Sequence, residues 1–478
     1  MSLCASNKIY QSIFSLLFTI PFLLTTAQAR ATDHATQAAE ITQWQSLLSK
    51  VQGEYGSYSH YLIEPYTQLA RAQLTAYRLA DARRSADKAI HNSKINSGLY
   101  AFEQIPLQKL SIEIDSLESD WVGVEEKIIN LVNLVTRQLK LEPKQIIDEL
   151  QWASNFRNLA ALEDTEDRSA LHIINSTILL EHMVMVAQRS GLTGDSFYPH
   201  LLHSLANQYY IETKAIIAGG SIGYRLRVTD PGLDFIDSRL DAIDKRYEAG
   251  LDKLHMIQHL ASDPIALAFS KLNIADWKAI FDHSKNISVE YERIYEQFTL
   301  TSANQQQIDN LFATNKVLPT ADLQQGFDEQ LEAQQKTSSK NLELDVLCEN
   351  KHRVQVTEMS KHLPNVGNTI AKRGKENMLP GNWNEISAEV TLDPHKRKTV
   401  SGDGYRVKSF VTGKEINIID NGQIKGQELR KTVSRIKALN FRPILRKGKV
   451  EASTIFVNYS FRRDQLHSFD NLVVLGRS

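Results

Sequence analysis

Cysteine is nearly missing: Cys4 and Cys348 are the two in 478 residues. Cys4 lies before the apolar segment near the start of the chain, so it is no lipid-attachment site, and one thiol remains downstream. That excludes an internal disulfide or a cysteine metal cluster there, and Cys348 reads as buried or inert rather than nucleophilic. Glycine (22) and proline (12) are also scarce, leaving few breaks for loops over the first two thirds of the chain. Catalytic signatures are missing too. No G-x-S-x-G elbow occurs. Ala218–Gly223 (AGGSIG) lacks the Lys-Ser/Thr pair and preceding strand of a phosphate loop, and Gly413-Lys414 lacks the glycine five residues earlier. His255 and His259 have the i, i+4 spacing of a zinc helix, but Met256 stands where the catalytic Glu belongs. His200 and His203, one turn apart, read as solvated or packing side chains, and Glu125-Glu126 as a solvated helix face. No catalytic, cofactor or metal site is expected. The enzymatic alternative is a site assembled from scattered residues of the helical region.

What is present fits an exported, multidomain protein. The length calls for two or three domains, and 42% apolar with 23% charged residues is ordinary globular composition. Lys8, the apolar run Ile13–Leu24 and Ala27-Gln28-Ala29 form a leader pattern, with Ala29-Arg30-Ala31 as a second cleavage site. Pro21 and the short run argue against a membrane span; retention as an anchor is the alternative. The net charge of −1 hides an asymmetry. From Cys348 onward 24 basic residues face 13 acidic ones, against 31 basic and 43 acidic upstream. A basic exported domain can meet anionic lipid heads, polyanionic glycans or an acidic protein surface. The bland alternative is that the two parts attract each other. No nucleic-acid partner is expected.

From about Ile41 to Thr299 apolar residues recur at three and four, predicting helix after helix. In Glu64–Ile90, Tyr66, Leu69 and Ala70 share one face, and Ala82, Ala86 and Ala89 the next. Small residues at that spacing let paired helices approach closely. The offsets resemble the tetratricopeptide repeat. Leu110–Leu131 reads as a degraded copy turning at Ser119-Asp120, and Leu267–Tyr291 as another, turning at Ala275-Asp276-Trp277. The spacing is unsteady, so the expectation is a degenerate helical-repeat array, a protein-binding surface. A Gln-rich stretch from about Leu300 follows, read as a partly helical polar connector.

The period changes beyond Asn384. Ile386, Ala388, Val390 and Leu392 alternate with polar residues, a half-buried strand ended by Asp393-Pro394. Tyr405–Val411 and Ile416–Ile419 are further strand candidates. Leu429, Val433, Ile436 and Leu439 form the stripe of a short helix. Phe441–Leu445, a turn at Arg446–Lys449 and the strand Val450–Phe461 complete an expected α+β domain.

Phe441, Arg442, Pro443, Gly448, Lys449, Val450 and the alternating strand ending at Phe461 resemble the C-terminal domain of the TonB family, over about Asn384–Phe461. Those proteins are energy transducers of two-membrane bacterial envelopes, and their domains bind an extended transporter peptide as an added strand. The resemblance implies the same binding mode here, at an exposed edge of Glu451–Phe461: Glu451, Ser453, Thr454, Ile455, Phe456, Asn458 and Ser460. The implied partners are envelope proteins such as an outer-membrane protein, with weak membrane-surface contact through the basic domain. Two features depart from the family: a cleavable-looking leader, and helical repeats in place of a Pro-rich spacer. The expected layout is a leader (1–29), an all-α tetratricopeptide-like domain (41–299), the connector (300–380) and a small α+β TonB-like domain (381–478). The expected role is that of a periplasmic, non-enzymatic adaptor; a membrane-anchored transducer is the rival.

Overall fold

The computed structural model describes residues 36–137, 141–233, 238–281, 286–313, 316–320, 323–327, 352–357, 383–392, 399–402, 405–408, 415–420, 429–430, 433 and 439–462. The leader pattern, Cys348 and residues 463–478 lie outside the described residues, as does most of the helix expected at Leu429–Leu439. The chain divides into two compact units, residues 1–141 and 142–478.

The first unit is all helical among its described residues: α1 (36–55), α2 (Ile63–Thr75), α3 (Leu79–Ser97), α4 (Gln104–Leu117) and α5 (Trp121–Thr136). Ala70, Ala82, Ala86 and Ala89 are buried between α2 and α3, where the small-residue spacing places them. Leu62, Tyr66 and Leu69 close one core with Ile41 and Leu48 of α1 and Leu107 of α4. Both hairpins, α2–α3 and α4–α5, turn the same way. Tyr77 and Ser119 take positive φ (61° and 60°). The next amides, of Arg78 and Asp120, donate back to Gln73 and Asp115 carbonyls at 2.8 and 2.9 Å. This is the Schellman stop. Asp120 then caps α5, accepting from the Gly123 amide at 3.0 Å. Gly123 leaves room for these carboxylates: a Cβ there would sit 2.6 Å from Asp120 Oδ2 and 2.9 Å from Asp115 Oδ2, so both would have to shift. The buried Asp115 carboxylate pairs with Arg83 of α3 at 2.8 Å and Lys127 of α5 at 2.5 Å, tying three helices together.

The second unit opens with α6 (Pro143–Glu163), α7 (Glu166–Arg189), α8 (Phe197–Ala218), α9 (Gly220–Thr229) and α10 (Arg239–Leu260). Helices α11 (Pro264–Phe281), α12 (Ile287–Thr299) and α13 (Gln305–Ala313) follow. The long apolar α7 is a core helix, with Ile173, Ile174, Leu180 and Met183 buried. AGGSIG is a corner between α8 and α9: Gly219 has φ +75°, and a Cβ on Gly223 would meet the Ala215 carbonyl at 2.7 Å. Arg246 of α10 lies buried between Glu212 of α8 and Asp230, and Thr177 of α7 donates to Glu212. Gly250 brings α10 onto the Trp277 ring of α11, whose Nε1 donates to the Tyr247 carbonyl at 3.0 Å.

Two expectations change here. Asp276-Trp277 lies inside α11, not at a turn; the chain leaves that helix only after Phe281. Helix α13 falls in the stretch expected to be partly helical, but residues 316–320 and 323–327, expected in the polar connector, pack into the body: Leu318 and Phe327 join a core with Phe269, Tyr291, Phe298 and Phe312.

The strands are β1 (Val317–Leu318), β2 (His352–Thr357), β3 (Trp383–Leu392), β4 (Thr399–Gly402), β5 (Tyr405–Lys408), β6 (Glu415–Asp420), β7 (Asn440–Phe441), β8 (Ile444–Arg446), β9 (Lys449–Glu451) and β10 (Ser453–Arg462). A four-stranded sheet has the order β2-β10-β3-β6; β4 pairs with β5, β8 with β9, and β1 with β7. The turn expected at Arg446–Lys449 joins β8 to β9 through the two residues Lys447 and Gly448, both with positive φ (49° and 76°).

Candidate interaction site

The motif residues Phe441–Val450 do not join the sheet of β10. They dock on the helices. Strand β7 pairs antiparallel with β1, and the Arg442 amide donates to the Lys316 carbonyl at 2.8 Å. Phe441, Ile444, Leu445 and Val450 are buried, and Leu445 and Val450 complete the core of α11, α12 and α13. Gly448 packs on the Tyr295 ring, which a Cβ would approach to 3.0 Å.

The centre of this junction is Arg442, which is 0% exposed. Its guanidinium makes a two-pronged bond to Asp276, with Nε to Oδ1 at 3.0 Å and Nη2 to Oδ2, and its Nη1 donates to Gln324 Oε1 at 3.2 Å. Tyr291 donates its phenol to Asp276 Oδ1 at 2.8 Å. Burial, then the Asp276 charge, holds that phenol well above its usual range. Burial and the Arg442 charge lower Lys316 to about 7. A planar fork matched to a carboxylate is the arrangement in which a buried arginine is tolerated. Outside it, Glu292 of α12 accepts from Lys449 Nζ at 2.9 Å and from the Val450 amide at 3.2 Å. Lys449 is largely solvated, so its ion pair adds little.

A cavity of about 20 Å³ lies beside Asp276, lined by His203, Asn207, Asn273, Trp277 and Thr320 among others. That is room for one water, not for a metabolite. His203 is buried, and burial lowers it to about 4. His200, His255 and His259 are exposed.

The predicted binding edge needs correction. Glu451 is exposed at the end of β9, 3.4 Å from Arg446. Ser453, Thr454, Ile455, Phe456, Asn458 and Ser460 lie in β10, which is paired with β3 throughout and with β2 as well over Ile455–Ser460. β3 runs antiparallel to it, from Ser453 opposite Leu392 to Arg462 opposite Trp383. β2 runs parallel to it, from Ile455 opposite His352 to Ser460 opposite Thr357. The physical reason is β2 itself: His352, Val354 and Val356 alternate with Arg353, Gln355 and Thr357 inside a stretch that composition alone marked as polar connector. Among the described residues, the outer strands of this sheet are β2 and β6.

Sequence reasoning singled out Arg442 as a motif residue and Asp276 as a turn residue, but not their pairing. The available signal was the helical stripe Phe269, Leu272, Asn273, Asp276 and Ile280, which sets Asp276 on a buried face and so demands a counter-charge. No protein-family model matches the chain, and no curated protein sequence matches it.

Proposed function

We propose that this protein is an exported, periplasmic adaptor that captures an extended polypeptide as an added strand on its β2-β10-β3-β6 sheet. In this reading the sheet is a TonB-like C-terminal domain, and the helices are a tetratricopeptide-like array that holds a second protein. The observation that carries it is the Arg442 junction. It supports a division of labour in which β8 and β9 are spent on anchoring and the adjoining β10 is left to build the sheet. Edge strands present unpaired N–H and C=O groups that any compatible extended peptide can meet. The basic excess of the C-terminal part suits an acidic partner segment.

A photo-crosslinking residue placed at Ile418 or Gln355, in intact envelopes, tests this. The expected result is an adduct with a second polypeptide from at least one of these edge positions. Adducts formed only from exposed helix positions, with none from either strand, would refute strand capture.

A further inference from the structure

The four-stranded sheet contains one strand unlike the rest. β10, β3 and β6 pair antiparallel in sequence, whereas β2 is parallel to β10. β3 covers β10 along its whole length; β2 covers only Ile455–Ser460. Parallel ladders are slightly weaker per residue than antiparallel ones. The two neighbours of β10 also differ in how they are held. β10 continues from β9, which is fixed to α12 through Glu292 and to the core through Val450. β3 is held on its other side by β6. Among the described residues, β2 has β10 as its one strand neighbour. Removing β2 would leave, of the described strands, a three-stranded antiparallel sheet with Ile455–Ser460 of the predicted edge unpaired on that side.

We propose that β2 is a resident strand occupying the acceptor edge of β10, and that an extended segment of a partner binds parallel to β10 by displacing it. This rests on the strand-capture reading and adds its regulation. The partner segment must be at least as good a strand as His-Arg-Val-Gln-Val-Thr, and its apparent affinity is reduced by the fraction of molecules in which β2 is in place.

The test uses the full chain and a fluorescein-labelled synthetic peptide of residues 350–359. Successive residues of a strand point their amides to opposite sides. A Val354→Pro/Gln355→Pro variant therefore removes a ladder donor whichever residue faces β10. The variant should bind the peptide in trans at least tenfold more tightly than the unaltered chain. Hydrogen exchange should show the amides of 455–460 that face β2 losing protection in the variant and regaining it with saturating peptide, while those facing β3 and the helical ellipticity are unchanged. Equal binding to both chains, or no binding to the variant with its helices intact, would overturn the proposal. Because the probe is the chain's own segment, that outcome leaves foreign strand capture at β6 standing; failure of capture is read separately, by the envelope crosslinks.

Discussion

Arg442→Met tests the junction most sharply. The substitution keeps the apolar stem and removes three hydrogen bonds from a group that is 0% exposed. Asp276 keeps one donor, the Tyr291 phenol. Breaking a buried ion pair by removing one partner costs about 3–5 kcal/mol, because the other charge stays buried. For a body of this size that corresponds to a fall in Tm of roughly 6–20 °C. Asp276→Leu should cost a similar amount for the mirror-image reason. The double variant Arg442→Met/Asp276→Leu leaves no stranded charge and should cost clearly less than the sum, with a coupling of about 3 kcal/mol or more. Urea unfolding followed by tryptophan fluorescence suits the measurement, since Trp277 is buried next to Asp276. Single variants that each cost under about 1 kcal/mol, or that add in the double, would show that the pair does not hold the junction.

Three further outcomes follow from the same packing. His203 titrates near 6.5 when unfolded but is lowered to about 4 by burial, so the unfolded chain binds the extra proton between those values. Its contribution is therefore intact above about pH 6.5 and lost as pH falls toward 4, on the order of 3 kcal/mol; urea midpoints of His203→Asn should be flatter than wild type over that range. Gly250→Ala places a Cβ 2.1 Å from Trp277 Cζ2, and should lower stability by about 1–3 kcal/mol despite alanine's helix preference, read by denaturation. Arg246→Leu strands Glu212 and Asp230, both buried. It should cost about 3–5 kcal/mol by the same assay, and adding Glu212→Gln should restore part of it.

The helical architecture was legible in the sequence because its signals are local. Period, small-residue spacing and the turn at Ser119-Asp120 all depend on neighbours along the chain, and Ala82, Ala86 and Ala89 lie where that spacing puts them. Strands ending at Leu392 and turning at Gly448 were legible for the same reason. The pairing of Asp276 with Arg442 was not, since the two are remote in sequence and each has a sufficient local explanation. The β2 strand was hidden by composition: six residues that are half polar carry little periodic signal, and only β10 gives them a register. For that reason Ile455 to Ser460, within the residues proposed as a free edge, lie in the middle of a sheet.

Strand capture is tested most directly by hydrogen exchange on the full chain, alone and with the polypeptide that crosslinks to it. New protection should be confined to the sheet at 415–420, or protection at 455–460 should persist while 352–357 is released. Protection gained only on helix surfaces, such as the exposed tyrosines at 55, 58 and 61, with the sheet amides unchanged, would contradict it.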